Sequence, residues 1–524
     1  MEPSELSALL AAALALGIPA THVAAALLVP RRDPLRVTVA AGAVALVLAL
    51  AFAALTTLAP LSSAMTSLGV RLDAVTCVML VLVSFLGLVT ARYSRTYFRG
   101  DAAIARHARW LGATLGSVSL LVSTDHLGVL ALAWIATSLA LHRLLTLRSE
   151  RPGAVLAAHE KFVMSRIADT CLVVAIGLLA LEAGTLEISA LHHWARGVSE
   201  LPPRASVAAV LLVAGACLKS AQVPFHGWLT RVMEAPTPVS ALLHAGVVNL
   251  GGLLMIRLAP LMALAPLAQA LLAVVGLGTA LLASSVMTTR VSVKVALAWS
   301  TSAQMGFMLL ECALGAWHLA LLHLVAHSLY KAHAFLSAGS TVERWSEGAL
   351  VAPLSAPSPR SLALATAASL AWVAPIALVP VLAMGGGAEL LPMSVILAIS
   401  LAPTTARALA AGARQTGRAA LAGAGLAALY FGWHSLATHL LDASAQPSVL
   451  GWTLVALALA AQLAAMSAMQ AAPSGALARW LQPLLSAGLY VDALFTRATL
   501  HVWPPRLSPS ALSARPLTAS DLEA

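Results

Sequence analysis

Two titratable side chains lie in segments that are otherwise apolar enough to cross a membrane. Lys219 ends an apolar run that begins near residue 205, and Pro224 follows it. Proline breaks or kinks a helix because it has no backbone N–H to donate. His244 lies in the next apolar run. Ionisable residues at membrane depth are rare and mark ion pathways or binding sites, so we expect one around this broken helix.

The chemistry expected of these two residues is proton exchange. Burial disfavours the charged form of a lysine, so Lys219 could release and take up a proton near neutral pH. The alternative is that its side chain extends to the membrane surface. For His244, a structural role and a role in proton transfer both remain open.

A second group of titratable residues has helical spacing. His323, His327 and Lys331 stand at i, i+4 and i+8, which predicts one stripe that covers roughly 12 Å of a helix. Histidine can relay protons near physiological pH, and two histidines four residues apart can also chelate zinc. Because Lys331 would repel a metal ion and no Asp, Glu or Cys has the spacing to complete a zinc site, the stripe favours proton relay.

Three more residues join the candidate pathway. Lys294 opens an apolar run that also contains serines, threonine and Gln304. Arg166 and Asp169 are three residues apart, so they share a helix face and can form an ion pair. The pair is expected either to fix its helix near the membrane surface or to take part in conduction.

The composition indicates the elements that must position these residues. The chain is 60% hydrophobic and only 10% charged, and its long apolar runs are separated by short polar links. This pattern predicts an all-α, polytopic integral membrane protein. We predict 13 to 15 spans, at residues 7–29, 37–60, 72–91, 107–124, 126–147, 162–183, 205–224, 238–259, 263–286, 291–312, 316–340, 360–384, 389–411, 419–441 and 448–470. The blocks near 107–259 and 263–411 suggest inverted repeats.

The arginines predict the orientation. Links after odd-numbered spans contain eighteen arginines, and links after even-numbered spans contain four. By the positive-inside rule the N-terminus lies outside, in the inner (plasma) membrane of a bacterium. The net charge of +10 therefore reflects topology, and we expect no nucleic-acid partner. The first apolar run is expected to remain as a span.

The sequence predicts two regions along the chain. It also predicts that the chain carries no cofactor. Residues 1–474 form the transmembrane domain, and residues 475–524 form an amphipathic tail that ends in a Pro/Ser-rich, partly disordered segment and could dock a partner. The sequence has no nucleotide, flavin, haem or iron–sulfur pattern. The four cysteines have neither zinc-ligand nor redox spacing, so we read them as buried packing residues.

These segments resemble the proton-translocating antiporter subunits of respiratory complex I (NuoL-like) and of the Mrp antiporters. The resemblance covers roughly residues 70–340 and is carried by KSAQVPFHGWLTRVMEAPTPVSALLHAG (219–246), KVALAWSTSAQMGFM (294–308), LLHLVAHSLYKAHAFLSAGS (321–340) and the weaker KFVMSRIAD (161–169). It implies a proton pathway of a central broken-helix lysine, a following histidine, a connecting polar axis and a sixth-helix ion pair. These would be Lys219, His244, then Lys294, His323, His327 and Lys331, and finally Arg166 with Asp169.

The sequence departs from that family at two places. Trp134 is followed by Ile135, where the family usually has a glutamate that pairs with the central lysine. Residues 361–388 contain no charged residue, although the family's second broken helix usually carries a lysine or glutamate.

With these departures, the sequence resembles one branch of the family more specifically. That branch is DabB, the membrane subunits of DAB inorganic-carbon-accumulation complexes. The segments LAWIATSLALHRLL, HAGVVNLGG and GLYVDALFTRATLHVWPPR resemble the same branch. That resemblance implies a peripheral, zinc-containing DabA-like partner and a cation gradient, of protons or another cation, that drives hydration of CO2 to bicarbonate. The alternatives are an antiporter-like subunit of an NADH- or hydrogenase-linked complex and a non-conducting membrane anchor for a soluble enzyme.

Overall fold

The computed structural model describes residues 3–30, 32–58, 66–148, 150–348, 358–384, 389–440 and 448–503. These residues form α-helices, four short 3-10 helices and one two-stranded β-hairpin. The predicted all-α, polytopic class is therefore confirmed.

The helices of the first half are α1 Pro3–Leu27, α2 Pro34–Leu58, α3 Ala74–Tyr97, α4 Ile104–Ser123, α5 Leu127–Leu145, α6 Pro152–Ala183, α7 Ile188–Arg196, α8 Pro203–Lys219, α9 Gly227–Arg231, α10 Thr237–Ala245 and α11 Leu250–Arg257. Those of the second half are α12 Ala259–Ala263, α13 Pro266–Met287, α14 Val293–Ala313, α15 Trp317–Leu336, α16 Ala338–Gly348, α17 Pro359–Met384, α18 Leu390–Ala410, α19 Ala413–Leu440, α20 Val449–Ala471, α21 Ala476–Ser486 and α22 Val491–Val502. The hairpin strands are β1 Thr66–Ser67 and β2 Val70–Arg71.

Every predicted span corresponds to a helix or to a helix pair, since α10 and α11 together form the span predicted at 238–259. Among the described residues, ten spans are long and apolar enough to cross a membrane by length and composition alone. The predicted segments outside that set are α4, α8, α14, α15 and α19. Helix α8 has only 17 residues, and α14 and α15 carry the polar side chains of the candidate site. Three helices that carry candidate site residues, α8, α14 and α15, therefore lie outside the set, whereas α6 and α10, which carry Arg166, Asp169 and His244, belong to it.

Contacts divide the chain into two compact units. Unit 1 comprises the described residues of 1–173, 224–247 and 491–524, and unit 2 those of 174–223 and 248–490. Two of the four divisions fall at the breaks after α8 and after α10, one falls within α6, and one directly precedes α22.

Unit 1 packs its first helices through alanines. Ala11 and Ala15 of α1 and Ala45 and Ala49 of α2 are fully buried. Small side chains let helices approach closely, which matters in a bilayer because apolar burial alone gives no driving force for helix association. The alanine-rich sequence therefore suits close helix packing.

The β-hairpin of unit 1 anchors the start of α3. Leu68 and Gly69 both have positive φ, as a tight two-residue turn requires. Arg71 on β2 forms ion pairs with Asp73 (2.9 Å) and Asp125 (3.1 Å). Asp73 also caps α3, because its carboxylate accepts the backbone N–H of the first turn.

Unit 2 contains a close contact between α13 and α14. A Cβ built on Gly276 would lie 2.7 Å from the carbonyl oxygen of Gly306, and one built on Gly306 would lie 2.9 Å from the backbone nitrogen of Ala280. Real Cβ atoms do not approach other atoms this closely, so both glycines are needed for this approach. We call this contact the glycine seam.

The described part of the tail is ordered into two helices that belong to different units. In unit 2, Leu485 of α21 packs with Trp299, and its carbonyl accepts from Arg290 at 3.2 Å. In unit 1, Thr496 of α22 donates to Glu160 at 2.7 Å. The predicted domain boundary after residue 474 stays a prediction, and the Pro/Ser-rich end beyond residue 503 lies outside the described residues.

Candidate functional site

Helix α8 ends at Lys219, where the sequence predicts a break. Ala221 has φ 49°, a left-handed conformation that a residue with a Cβ rarely adopts, so the helix cannot continue through it. The backbone N–H of Val223 donates instead to Oγ1 of Thr279 at 3.1 Å. Because a buried backbone donor needs a partner, this bond stabilises the interrupted conformation.

Helix α11 packs directly on the broken end of α8. A Cβ on Gly251 would lie 2.5 Å from the carbonyl oxygen of Ala216, so only glycine allows this approach. Oγ of Ser220 donates to the carbonyl of Val248 at 2.9 Å. Lys219 is only 3% exposed. The sequence prediction that places a buried lysine at a helix break therefore agrees with the geometry.

Helices α14 and α15 run antiparallel across a short turn, and their facing sides carry matched polar residues. Nζ of Lys331 donates to Oγ of Ser300 at 2.7 Å and to the carbonyl of Leu297 at 3.1 Å. Nδ1 of His327 donates to Oε1 of Gln304 at 2.7 Å. Lys331 is fully buried and His327 almost so.

Glu311 completes this arrangement, and the sequence analysis missed it. Nδ1 of His323 donates to its Oε2 at 3.0 Å, and Glu311 is 2% exposed. A sequence signal was available, because Glu311 is the single Asp or Glu between residues 235 and 342. We call the three contacts Lys331–Ser300, His327–Gln304 and His323–Glu311 the polar ladder.

The polar ladder agrees with the stripe that the spacing of its α15 residues predicts. Each member of the stripe meets a polar side chain of α14, and these side chains follow one face of α14 in the reverse order, as expected for an antiparallel pair. Nδ1 of each histidine is engaged by a different partner. The two histidines thus face separate positions on α14 and do not converge on one point between them.

Residues next to α11 connect the broken helix with the polar ladder inside unit 2. Nδ2 of Asn249 donates to Oγ of Ser328, at 2.7 Å, and Ser328 adjoins His327 on α15. Val248, the neighbour of Asn249, holds Ser220 beside Lys219. Two hydrogen bonds and three pairs of neighbouring residues, Lys219–Ser220, Val248–Asn249 and His327–Ser328, therefore link the lysine at the break to the middle of the ladder.

Lys294 lies at the Lys331 end of the ladder, outside its three contacts. It is the second residue of α14 and partly buried. It precedes Ser300 by six residues, or about 9 Å along the helix axis. This position at the start of α14 suits a residue that exchanges protons between the membrane surface and the Lys331 end of the ladder.

The remaining predicted site residues belong to unit 1. Arg166 and Asp169 form the expected ion pair at 2.5 Å, and the guanidinium also lies over the ring of Phe162 at 5.0 Å. His244 is fully buried on α10, which packs against α3 and α5. The pairing of Arg166 with Asp169 is therefore present, while the roles of all three residues stay predictions.

Unit 1 also contains two buried ionisable residues that the sequence analysis did not select. Nζ of Lys161 donates to the carbonyl and hydroxyl of Ser138, at 2.7 and 2.9 Å. Ser138 lies on α5 one turn after Ile135, the position where the resembling family has a glutamate. Oε1 of Glu160 accepts from Arg231 at 2.8 Å. Lys161 is therefore held by neutral oxygens and Glu160 by a cation.

The site can do a specific kind of chemistry. Groups that gain and lose protons follow one another in the polar ladder, with a carboxylate at one end and a lysine at the other. Each is held by a hydrogen bond across to α14, and the ring centroids of His323 and His327 lie 6.3 Å apart, so transfer between the two rings needs a bridging water or a side-chain movement. Buried titratable groups in such a chain are the usual components of proton relays through membranes.

Two protein-family models match parts of this chain. The family described as NADH:quinone oxidoreductase/Mrp antiporter, TM matches residues 124–402, and the one described as NADH-Ubiquinone oxidoreductase (complex I), chain 5 N-terminus matches residues 59–108. The first match covers the break and the whole ladder.

Individual proteins are also similar to about half of this chain. A "probable inorganic carbon transporter subunit DabB" of Hydrogenovibrio crunogenus is 54% identical over 267 residues, 51% of this chain and 52% of that protein. The NADH-quinone oxidoreductase subunit L of Mycobacterium tuberculosis is 35% identical over 293 residues, 55% of this chain and 46% of that protein. The match thus spans about half the length of these relatives.

A solved structure extends the fold similarity to nearly the whole chain. The Mrp complex from Dietzia sp. aligns with 98% of this chain and 58% of its own chain, with a TM-score of 0.56 and 25% identity. Together with the apolar helices, these matches show that the protein is a multi-pass integral membrane protein.

Proposed function

This chain belongs to the NADH:quinone oxidoreductase/Mrp antiporter membrane family, and we propose that it is the ion-conducting membrane subunit of an inorganic-carbon uptake complex. The ion is a proton or another cation, and the pathway uses Lys219, Lys294, His323, His327 and Lys331 in unit 2, with Arg166, Asp169 and His244 contributing in unit 1. The observation that carries the proposal is the buried polar ladder.

The ladder supports conduction because its partners are mostly neutral. Ser300 and Gln304 can accept hydrogen bonds from Lys331 and His327 without fixing a positive charge on them. A lysine or histidine opposite a neutral partner can lose its proton without leaving an uncompensated carboxylate behind. Glu311 then offers one acidic position that takes up a proton as His323 releases it.

The similarity to DabB subunits supports inorganic carbon as the substrate and a partner subunit as part of the proposal. We assign hydration of CO2 to bicarbonate to a zinc-containing, DabA-like peripheral subunit, and to this chain the cation flow that makes hydration one-way. The complex would lie in the bacterial inner membrane with the N-terminus outside, as the arginine distribution predicts.

A non-conducting membrane anchor is the second candidate. Two observations favour it: Ile135 replaces the acid expected on α5, and α17 carries no charge inside the membrane. A subunit of an NADH- or hydrogenase-linked complex is a further alternative, because the chain is also similar to a subunit L. Both alternatives predict outcomes different from those expected for the carbon-uptake subunit.

Growth rescue tests conduction. The chain and its neighbouring partner gene are co-expressed in a host that lacks carbonic anhydrase and needs high CO2. Wild type is expected to restore growth in air, and Lys219→Ala to abolish the rescue because the lysine at the break is lost. Leu329→Ala, at a 42% exposed position of α15, is the matched control and is expected to rescue fully.

Purification separates the remaining alternatives. The tagged chain is isolated and the metal content of the copurifying protein is measured. Zinc in a single large partner supports the carbon-uptake complex, whereas flavin and iron–sulfur subunits would identify a redox complex. Undiminished rescue by Lys219→Ala at equal membrane levels would reject conduction and favour the anchor.

A further inference from the structure

Unit 2 contains a second chain of titratable side chains that neither the sequence analysis nor the proposed pathway uses. Nε2 of His318 lies 2.6 Å from Nδ1 of His434, within hydrogen-bond distance. Nε2 of His434 lies 3.6 Å from Oε1 of Glu389. Three parts of the fold supply the groups: His318 is the second residue of α15, His434 lies on α19, and Glu389 directly precedes α18.

The side chains of His318 and His434 are buried in apolar surroundings and held in place by neighbouring residues. His318 is 1% exposed and His434 5%, among apolar residues that include Leu319 and Phe431. Nε1 of Trp433 donates to the carbonyl of His318 at 3.0 Å, which fixes α19 against the start of α15. The side chain of Glu389 is 12% exposed, so the chain leads from the interior towards a partly accessible carboxylate.

The hydrogen bond between the two rings and the facing carboxylate determine how the protons are arranged. A carboxylate at Glu389 faces Nε2 of His434, so in a neutral His434 that nitrogen carries the proton and Nδ1 accepts. His318 must then donate through Nε2, which leaves its Nδ1 as a proton acceptor. Among the described residues, this Nδ1 has no hydrogen-bond partner. The chain therefore begins with an acceptor and ends with an acid.

His318 lies on α15, the helix that also carries the histidines and the lysine of the polar ladder. His318 and His323 are on the same helix and five residues apart, or about 7.5 Å along the axis. Lys331 lies beyond His323 in the other direction. The three residues His318, His434 and Glu389 are thus at the end of the α15 polar residues that is opposite Lys331 and Lys294.

We propose that His318, His434 and Glu389 form a proton-exchange chain at this end of the pathway; the proposal rests on the proposed function. A proton binds Nδ1 of His318, and the Nε2 proton of His318 passes to Nδ1 of His434. The Nε2 proton of His434 then passes to the carboxylate of Glu389, directly after a small side-chain movement or through one water. Each transfer breaks one bond to hydrogen as it forms another, and both rings exchange tautomers before the next proton.

The test measures proton flux in liposomes that contain the complete complex, a luminal pH dye and an imposed potassium diffusion potential. His434→Gln keeps a hydrogen-bonding side chain but cannot pass a proton between two nitrogens, and flux is expected to fall roughly 100-fold. Glu389→Gln is expected to lower flux as well. His192→Gln is the matched control, because His192 bonds the carbonyl of Arg257 away from this chain.

A structural role is separated by chemical rescue. His434→Ala leaves space for an imidazole, and added imidazole is expected to restore part of the flux. Equal flux in wild type, His434→Gln and Glu389→Gln overturns the proposal. So does a loss in His434→Gln that is accompanied by full flux in Glu389→Gln and by no rescue of His434→Ala. Absence of flux in the wild-type complex would instead reject the proposed function itself.

Discussion

Buried charge is handled differently in the two units. In unit 1 three arginines face acids, namely Arg71 with Asp125, Arg166 with Asp169 and Arg231 with Glu160, although Lys161 donates to neutral oxygens. In the ladder of unit 2, Lys331 and His327 face neutral oxygens instead. Arginine stays protonated under all ordinary conditions, whereas lysine and histidine can change protonation state.

The difference separates charges that stabilise a fold from charges that can move. An arginine–carboxylate pair is fixed, because removing either charge leaves the other uncompensated in a poorly solvated place. A lysine opposite a hydroxyl has a low electrostatic barrier to losing its proton. We therefore expect substitutions in the ladder to change transport, and substitutions in the Arg71–Asp125 and Arg231–Glu160 ion pairs to change stability.

The largest effect is expected at Glu311. In Glu311→Gln the amide can still accept from His323, but it cannot take up a proton, so the ladder loses its single acidic position. We expect proton flux in liposomes to fall roughly 100-fold while the amount of folded protein stays the same. Glu343→Gln, at an exposed glutamate of α16, is the control and should conduct like wild type. Normal flux in Glu311→Gln would show that the ladder does not carry the proton.

An intermediate effect, on stability, is expected at Arg231. Glu160 is 3% exposed and remains buried in Arg231→Gln without this cation, which should destabilise the protein by about 3 kcal/mol. Thermal unfolding in detergent measures the change. The double variant with Glu160→Gln should recover most of it, because no buried carboxylate is then left. A strong loss of flux per folded molecule would place this pair in the pathway and contradict the comparison.

The smallest effect is expected at Arg95. Its ion pair with Asp33 spans 2.7 Å, but the two side chains are 48% and 39% exposed. Exposed pairs contribute little because water and salt screen them. Arg95→Ala should therefore change the unfolding free energy by less than about 0.5 kcal/mol, again measured by thermal unfolding. A large destabilisation would mean that pairing, irrespective of burial, determines stability in unit 1.

Local spacing in the sequence predicted one side of the site well. The interval of four residues defines the stripe of His323, His327 and Lys331, and Pro224 after Lys219 indicates the break. These features depend only on helical geometry and on proline chemistry, so neighbouring residues suffice to find them.

The partners could not be predicted in the same way. Which residues of α14 face the stripe depends on how two antiparallel helices are aligned, and the pairing of His318 with His434 joins residues 116 positions apart. Helices that are apolar on all sides, as in this alanine- and leucine-rich chain, give little indication of which face meets which neighbour. Glu311 and Glu389 were visible as isolated acids, but their roles follow from three-dimensional contacts.

The glycine seam between α13 and α14 has a consequence for leakage. On the side of α14 that faces α13, backbone touches backbone at Gly276 and Gly306, so a file of water molecules has no room to form there. Water files conduct protons without any titratable side chain, and such a bypass would dissipate the gradient. If the chain conducts protons as proposed, two residues with no chemistry of their own would close that route and favour passage through the titratable groups of the ladder.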